Sequence, residues 1–257
     1  MKFKNPKIEK LYEYMSGVSQ KAYADPHLIS NYVLCKLGTH GRVLETYLAG
    51  ETPQNITFLF ALKKIISYFS KNVVAFLLYL FTALAHRLSG QMFGIPKNGE
   101  LLILDTYFVA QGILEKSQFR DTFFPGLADA LVRRKKNYVY TPRLFGTRSP
   151  LRWFRVFKIL KENNDPVLTE FQVLKLEDYL EAARFIFFYP FSVRRFEKNL
   201  GTNYEDEVLR QGLWQELDSV AFGGYVRFLL GRRLSSMKID KIKCLSWYEN
   251  QAVDKNF

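Results

Sequence analysis

Apolar positions along the chain follow three different regimes. From residue 5 to 50 they recur every three to four positions, at Ile8, Leu11, Tyr12, Met15 and Val18 and again at Leu28, Tyr32, Leu34, Cys35 and Leu37 after Asp25-Pro26. That spacing predicts helices with one polar face. Gly38-Thr39-His40-Gly41-Arg42 interrupts it and reads as a turn. A phosphate loop would need Gly-Lys-Ser/Thr after a strand, and here a helical pattern precedes and no such triplet follows. From Ile56 to Leu88 the chain is strongly apolar, with the 13 residues Val73 to Ala85 as its longest uncharged run. A spanning helix needs roughly 20 such residues. Lys63, Lys64 and Lys71 on one side and His86 and Arg87 on the other close the window. The preferred reading is a pair of core helices; the alternative is an interfacial amphipathic segment whose Lys and Arg reach anionic lipid.

At Gly90 to Gly99, with Pro96, the helical period stops, so a linker is predicted there. Beyond it, short apolar strands alternate with helical stretches. Leu101 to Phe108 reads as a strand whose apolar run Leu101-Leu102-Ile103-Leu104 is expected to be buried on both faces and whose carboxyl end opens into a loop, with Asp105, Thr106 and Tyr107 at that edge. A helix is predicted over Leu127 to Arg134 after Pro125-Gly126, then a strand over Asn137 to Thr141, stopped by Pro142. Leu151 to Lys161 has Trp153, Phe154, Phe157 and Leu160 on one side of a helix, and Val167-Leu168-Thr169 makes a short strand. Leu176 to Tyr189 is helical, as is Tyr204 to Leu230 with a break near Gly223-Gly224, and Lys241 to Trp247 is a last strand. The fold class expected is α/β: a Rossmann-like, layered, mostly parallel sheet, with a helical N-terminal region. Residues 1–97 form the helical part and residues 98–257 the α/β domain. The chain stops just past a strand, which predicts the N-terminal portion of something longer.

Charge narrows the partners without choosing among them. Lys and Arg number 37 against 25 Asp and Glu, a net charge of +12 that favours phosphate-bearing partners such as nucleic acid, anionic lipid or nucleotide-linked substrates. With 48% apolar residues and 23 Phe, the chain has enough core-forming material to exclude a disordered class. Two cysteines, Cys35 and Cys244, lie far apart, which fits a reducing compartment and gives no support to zinc. The basic N-terminus has no apolar segment behind it, so a cytoplasmic address is expected.

Candidate chemistry gathers at strand ends, where loops and helix N-termini of a parallel sheet converge on ligands. Asp105 and Glu249 are the acidic candidates for base or nucleophile, each also able to cap a following helix. Glu170 reads as a cap or surface residue. Arg143, with Arg148 and Arg152, makes a basic loop after the second strand, suited to the two-pronged pairing of guanidinium with phosphate and equally to plain solvation. Arg120 and Asp121 pair with each other or cap a helix. The three histidines are scattered and no Asp-x-Asp, Gly-x-Ser-x-Gly or Gly-x-Gly-x-x-Gly pattern occurs, so no metal ligand is assigned. Arg133 to Lys136 with Tyr138 and Tyr140 resembles a nucleic-acid patch, but strand tyrosines and a basic helix end explain it as well.

Taken together, Leu104-Asp105-Thr106-Tyr107, Phe119 to Leu127, Tyr138-Val139-Tyr140-Thr141-Pro142 and Trp247-Tyr248-Glu249-Asn250-Gln251 resemble bacterial surface-carbohydrate biosynthesis proteins of lipopolysaccharide and capsule clusters. The resemblance spans residues 98 to 257. It implies a glycosyltransferase of the two-Rossmann GT-B type, whose N-terminal half holds the acceptor. A nucleotide sugar would be the donor, a glycan or lipid-linked glycan the acceptor, with no tightly bound cofactor. Asp105 and Glu249 are then the catalytic candidates, and Thr106, Tyr107, Arg120, Arg143, Asn250 and Gln251 the substrate contacts. The expected location is the cytoplasm, peripheral at the inner membrane. Alternatives are a non-catalytic basic membrane-docking or scaffold module of the same machinery, and a nucleic-acid-binding protein; no specific nucleic-acid partner is assigned.

Overall fold

The computed structural model describes residues 5–35, 41–94, 99–218, 221–237 and 239–246. It is mixed α/β with a small open sheet of three parallel strands. The described residues form two compact units: those up to Ala75 with Glu177–Phe228, and Phe76–Leu176 with those from Leu229 to Ser246.

The second unit holds the sheet. Strand β1 (Glu100–Val109) lies between β2 (Asn137–Phe145) and β3 (Lys241–Ser246), giving the order β2-β1-β3. Leu101, Ile103, Leu104 and Phe108 of β1 are fully buried, as the apolar run predicts for a central strand. β2 runs straight through Pro142 because it is an outer strand of this sheet, where a missing N–H is tolerated on the side away from β1. The short strand expected at Val167 is a single parallel bridge to Tyr140. β3 is an outer strand and is exposed along most of its length.

Helices α5 (Ala110–Lys116), α6 (Leu127–Arg133), α7 (Pro150–Glu162) and α8 (Glu170–Val173) complete the connections. The start of α7 is fixed by Pro150 in its first turn and by the Ser149 hydroxyl, which accepts from the Arg152 N–H. Its Trp153, Val156, Phe157 and Leu160 recur at helical spacing and are buried. Thr169 and Gln172 form a reciprocal capping box on α8, which leaves Glu170 as a first-turn acid.

The first unit is helical: α1 (Pro6–Ala22), α2 (Tyr32–Cys35), α3 (Gly41–Ala49), the first part of α4 (Phe58–Ser89), α9 (Leu176–Lys198), α10 (Tyr204–Gln215) and the start of α11 (Phe222–Ser235). α9 continues past Tyr189, where the following Pro190 predicts an end. Tertiary contacts hold it: Tyr189 is buried, stacks on Tyr68 at 5.2 Å, and its hydroxyl accepts from Asn31 Nδ2 at 2.9 Å. The break expected at Gly223-Gly224 falls earlier, between α10 and α11, and both glycines lie within α11.

Gly212 lets α10 press against α3. A Cβ at that position would lie 2.5 Å from Val43 Cγ2. Gly212→Ala gains about 1 kcal/mol of helix propensity but overpacks the contact at a cost of about 1–3 kcal/mol. A lower urea midpoint is expected, and an unchanged or higher one would show that the two helices can separate freely.

α4 overturns the expectation of two core helices. It is a single helix of 32 residues, long and apolar enough by length and composition to cross a membrane, yet only 17% of its most apolar window is buried. Within the first unit its outward positions include Leu59, Leu62, Ile66, Val73 and Val74; within the second they include Leu77, Phe81, Leu84 and Leu88. The covered positions carry much of its polarity, with Asn72, Thr82, His86 and Ser89 all buried. Water-soluble helices have the opposite arrangement.

Candidate functional site

The sheet register explains why four polar side chains meet in the second unit. Asp105 is level with Thr141 on β2 and with Ser246 on β3, so all three share one face of the sheet. Arg143, two residues further along β2, stands diagonally across on that face, within reach of a long side chain. Its guanidinium grips the carboxylate with two prongs, Nε to Oδ1 at 3.2 Å and Nη2 to Oδ2 at 2.6 Å. The Ser246 hydroxyl donates to Oδ2 at 2.6 Å. Tyr107 lies beneath the guanidinium, whose carbon is 5.4 Å from the ring centroid, and its hydroxyl accepts weakly from Nη1 at 3.5 Å.

This geometry changes the roles read from the sequence. Asp105 is 1% exposed and sits inside β1, which continues four residues beyond it, so it is no strand-end carboxylate facing a loop. Arg143, expected in a loop past Pro142, is inside β2 and 9% exposed. Both charges are withdrawn from water and satisfy each other, which is how a buried ion pair survives. A carboxylate held by a guanidinium and a hydroxyl has no vacant oxygen to serve as a base. Its chemistry here is to orient Arg143 and to tie all three strands together at the level where β3 ends.

Thr106 is buried and its hydroxyl donates to Asp121 Oδ1 at 3.2 Å. The same carboxylate oxygen accepts from the N–H groups of Phe123 and Phe124, so Asp121 shapes the loop before α6 and does not depend on Arg120. Arg120 is exposed, and so are Arg148 and Arg152, both beyond the carboxyl end of β2. Of the basic loop expected after β2, Arg148 and Arg152 lie beyond the strand and Arg143 lies within it. Glu249, Asn250 and Gln251 lie outside the described residues.

No protein-family model, curated protein or solved structure matches this chain.

Two other polar features are structural. His86 is buried in the second unit, where its Nε2 lies 2.8 Å from Gln91 Oε1 and 3.0 Å from Thr169 Oγ1, and Gln91 Nε2 donates to the Val167 carbonyl at 2.9 Å. Burial holds its pKa below the ordinary histidine value, so a neutral ring joins the end of α4 to the bridge segment. Tyr140 packs edge-on against Phe119 at 4.9 Å and is 5% exposed. One of the two rings proposed to stack on bases is thus enclosed. Among the described residues no three His, Cys, Asp or Glu side chains converge on a common point.

Sequence reasoning could not see the Asp105–Arg143–Ser246 cluster as a unit. Its members are 38 and 141 residues apart, and only the strand register joins them. The available signal was an acidic residue inside one apolar strand and an arginine inside another, each of which demands a partner when buried.

Proposed function

We propose that this protein is a glycosyltransferase-like component of bacterial surface polysaccharide synthesis, moving a sugar from a nucleotide-sugar donor to a glycan or lipid-linked glycan acceptor. It works from the cytoplasm, peripheral to the inner membrane, without a tightly bound cofactor. The observation that carries this reading is the strand order: three parallel strands arranged β2-β1-β3 are compatible with the start of a doubly wound sheet, and in such a sheet ligands bind at the crevice where the order reverses, between β1 and β3. The segment that follows β3 directly in sequence is Trp247-Tyr248-Glu249-Asn250-Gln251.

In this reading Glu249 is the catalytic base or nucleophile and Asn250 and Gln251 contact substrate. Asp105 becomes a positioning residue that holds Arg143 against Tyr107 and pins β3 through Ser246. Arg120, Arg148 and Arg152 supply mobile cations against the diphosphate of the donor, since an exposed guanidinium can still turn toward phosphate.

The test is Glu249→Ala in the full-length protein, with surface glycan as the readout. Loss of a general acid or base lowers rate by about 100- to 10,000-fold. The expected result is glycan reduced to background with protein level and melting temperature unchanged. Normal glycan synthesis by the variant overturns the assignment. A second reading, a docking module without chemistry, is favoured by the apolar outward positions of α4; it predicts that Glu249→Ala is silent.

A further inference from the structure

The first unit contains a surface with the wrong polarity for water. On α4, Leu59 is 75%, Ile66 58% and Val74 53% exposed. On α9, Phe187, Phe188 and Phe191 are all more than half exposed. The two helices meet at this level, where Phe69 and Phe187 have ring centroids 6.1 Å apart, so their apolar positions form one ridge. Cations border it: Lys63, Arg184, Arg194, Arg195 and Lys198 are exposed. α4 contains no Asp or Glu; on α9 Asp178 is buried, Glu181 accepts from Tyr225 at 2.9 Å, Glu197 is engaged by Arg210 at 3.2 Å, and the exposed Glu177 lies in the first turn, away from Phe187 to Phe191.

A cavity of about 520 Å³ opens beside this ridge, and Phe188 belongs to both. Its lining includes Lys21, His27, Ser192 and Arg195. That volume is in the range of small-ligand pockets, roughly 300–1,000 Å³. Its one carboxylate, Asp25, is already satisfied: the backbone N–H of His27 donates to it at 2.9 Å, the His27 ring nitrogen lies 3.1 Å away, and the Ser192 hydroxyl bonds to it. Lys21 and Arg195 remain as cations facing the opening.

We infer that this ridge and cavity form a docking site for an anionic phospholipid bilayer, with the phenylalanine and aliphatic side chains entering the acyl boundary and a lipid phosphate held by Lys21 and Arg195. An apolar ridge bordered by charges of a single sign is what the surface of an anionic bilayer complements. The other side of α4 is committed to protein. Lys64 and Lys71 bind Asp218 at 2.7 and 2.6 Å, and Asn72 accepts from the Phe222 N–H at 3.2 Å. One-sided exposure of this kind fits a helix lying in the interface, not one surrounded by lipid. It also reassigns Lys64 and Lys71, which the sequence offers as lipid contacts, to the ion pairs with Asp218.

This inference rests on the membrane-peripheral part of the proposed function and not on sugar transfer, so vesicle binding and the Glu249 result can fail separately. The experiment is co-sedimentation of the full chain with phosphatidylcholine vesicles, with and without phosphatidylglycerol. Binding is expected only with the anionic lipid. Phe187→Glu/Phe191→Glu should weaken it at least about ten-fold, and Lys21→Glu/Arg195→Glu likewise, given about five-fold for each cation at such a surface. All four side chains are exposed, so the melting temperature should not move. Equal binding to neutral vesicles, or full binding by either double variant, overturns the inference. So does a concentration-dependent dimer that Phe187→Glu/Phe191→Glu dissociates without any vesicle binding, which would make a second copy the occupant. Glycerol 3-phosphate binding at Lys21 and Arg195 in a protein that ignores vesicles would assign the cavity to a soluble phosphate and overturn it too.

Discussion

Asp105→Ala is expected to cost about 3–5 kcal/mol of stability, because it removes the carboxylate that grips the buried Arg143 guanidinium with two prongs. Arg143 is 9% exposed and cannot recover full hydration by a simple side-chain rotation. The loss also frees the Ser246 hydroxyl, which joins β3 to β1 at the end of their pairing. Chemical denaturation should show the full effect, and Ser246→Ala alone should show about 1 kcal/mol, the value of one hydrogen bond. A decisive control is Asp105→Leu/Arg143→Met. Replacing both members with apolar groups removes the buried charge, so the double variant should be more stable than Asp105→Ala. If Asp105→Ala costs less than about 1 kcal/mol, the pair is not holding the sheet. Under the proposed transferase function, lost glycan synthesis in Asp105→Ala would report a damaged sheet, whereas Glu249→Ala would separate chemistry from folding.

The strands were legible because four apolar residues in a row, at Leu101 to Leu104, have few alternatives once turns bound them. What the sequence hid was that Asp105 stays inside the sheet and faces a partner there. An aspartate after an apolar run looks like a strand terminus, since an unpaired carboxylate does not belong in a sheet interior. Arg143 removes that objection, but it does so through a register that no local pattern encodes. Pro142 misled in the same direction, because its penalty depends on whether the strand is central or outer, and that is a property of the assembled sheet.

Helices failed for related reasons. α5 has seven residues, too few for a period to emerge, and only Ala110 and Ile113 mark its inner face. Tyr189 and Pro190 predict a stop by backbone sterics, and aromatic packing around Tyr189 overrules it. α4 is the most informative miss. Apolar content predicts burial, but most of its outward positions are apolar and its covered positions include Asn72 and His86. Composition records how much apolar surface a helix has; which side faces the protein depends on partners such as Asp218 and Phe222, both far away in sequence.

Asp218 gives the second large effect, with a pH dependence of definite sign. It receives Lys64 on Oδ1 at 2.7 Å, and Ser67 and Lys71 on Oδ2 at 2.9 and 2.6 Å, so one carboxylate fixes two turns of α4. Partial burial alone would raise its pKa, but hydrogen bonds from Lys64, Lys71 and Ser67 outweigh that and hold it far below the ordinary 3.8. A depressed folded-state value means that the stabilisation is fully present above the unfolded pKa and is lost as pH falls toward the folded one. Asp218→Ala should therefore cost roughly 2–3 kcal/mol at neutral pH, between the value of an exposed pair and that of a buried one. Below pH 3.8 the wild-type protein should lose about 1.4 kcal/mol per pH unit from this residue, a slope that Asp218→Asn lacks. Denaturation curves of both proteins across pH 2.5 to 7 should therefore converge in acid, with roughly constant separation above about pH 5. Parallel curves throughout would mean that the two lysines do not hold this carboxylate in solution, and α4 would lose the contact that turns its apolar side outward.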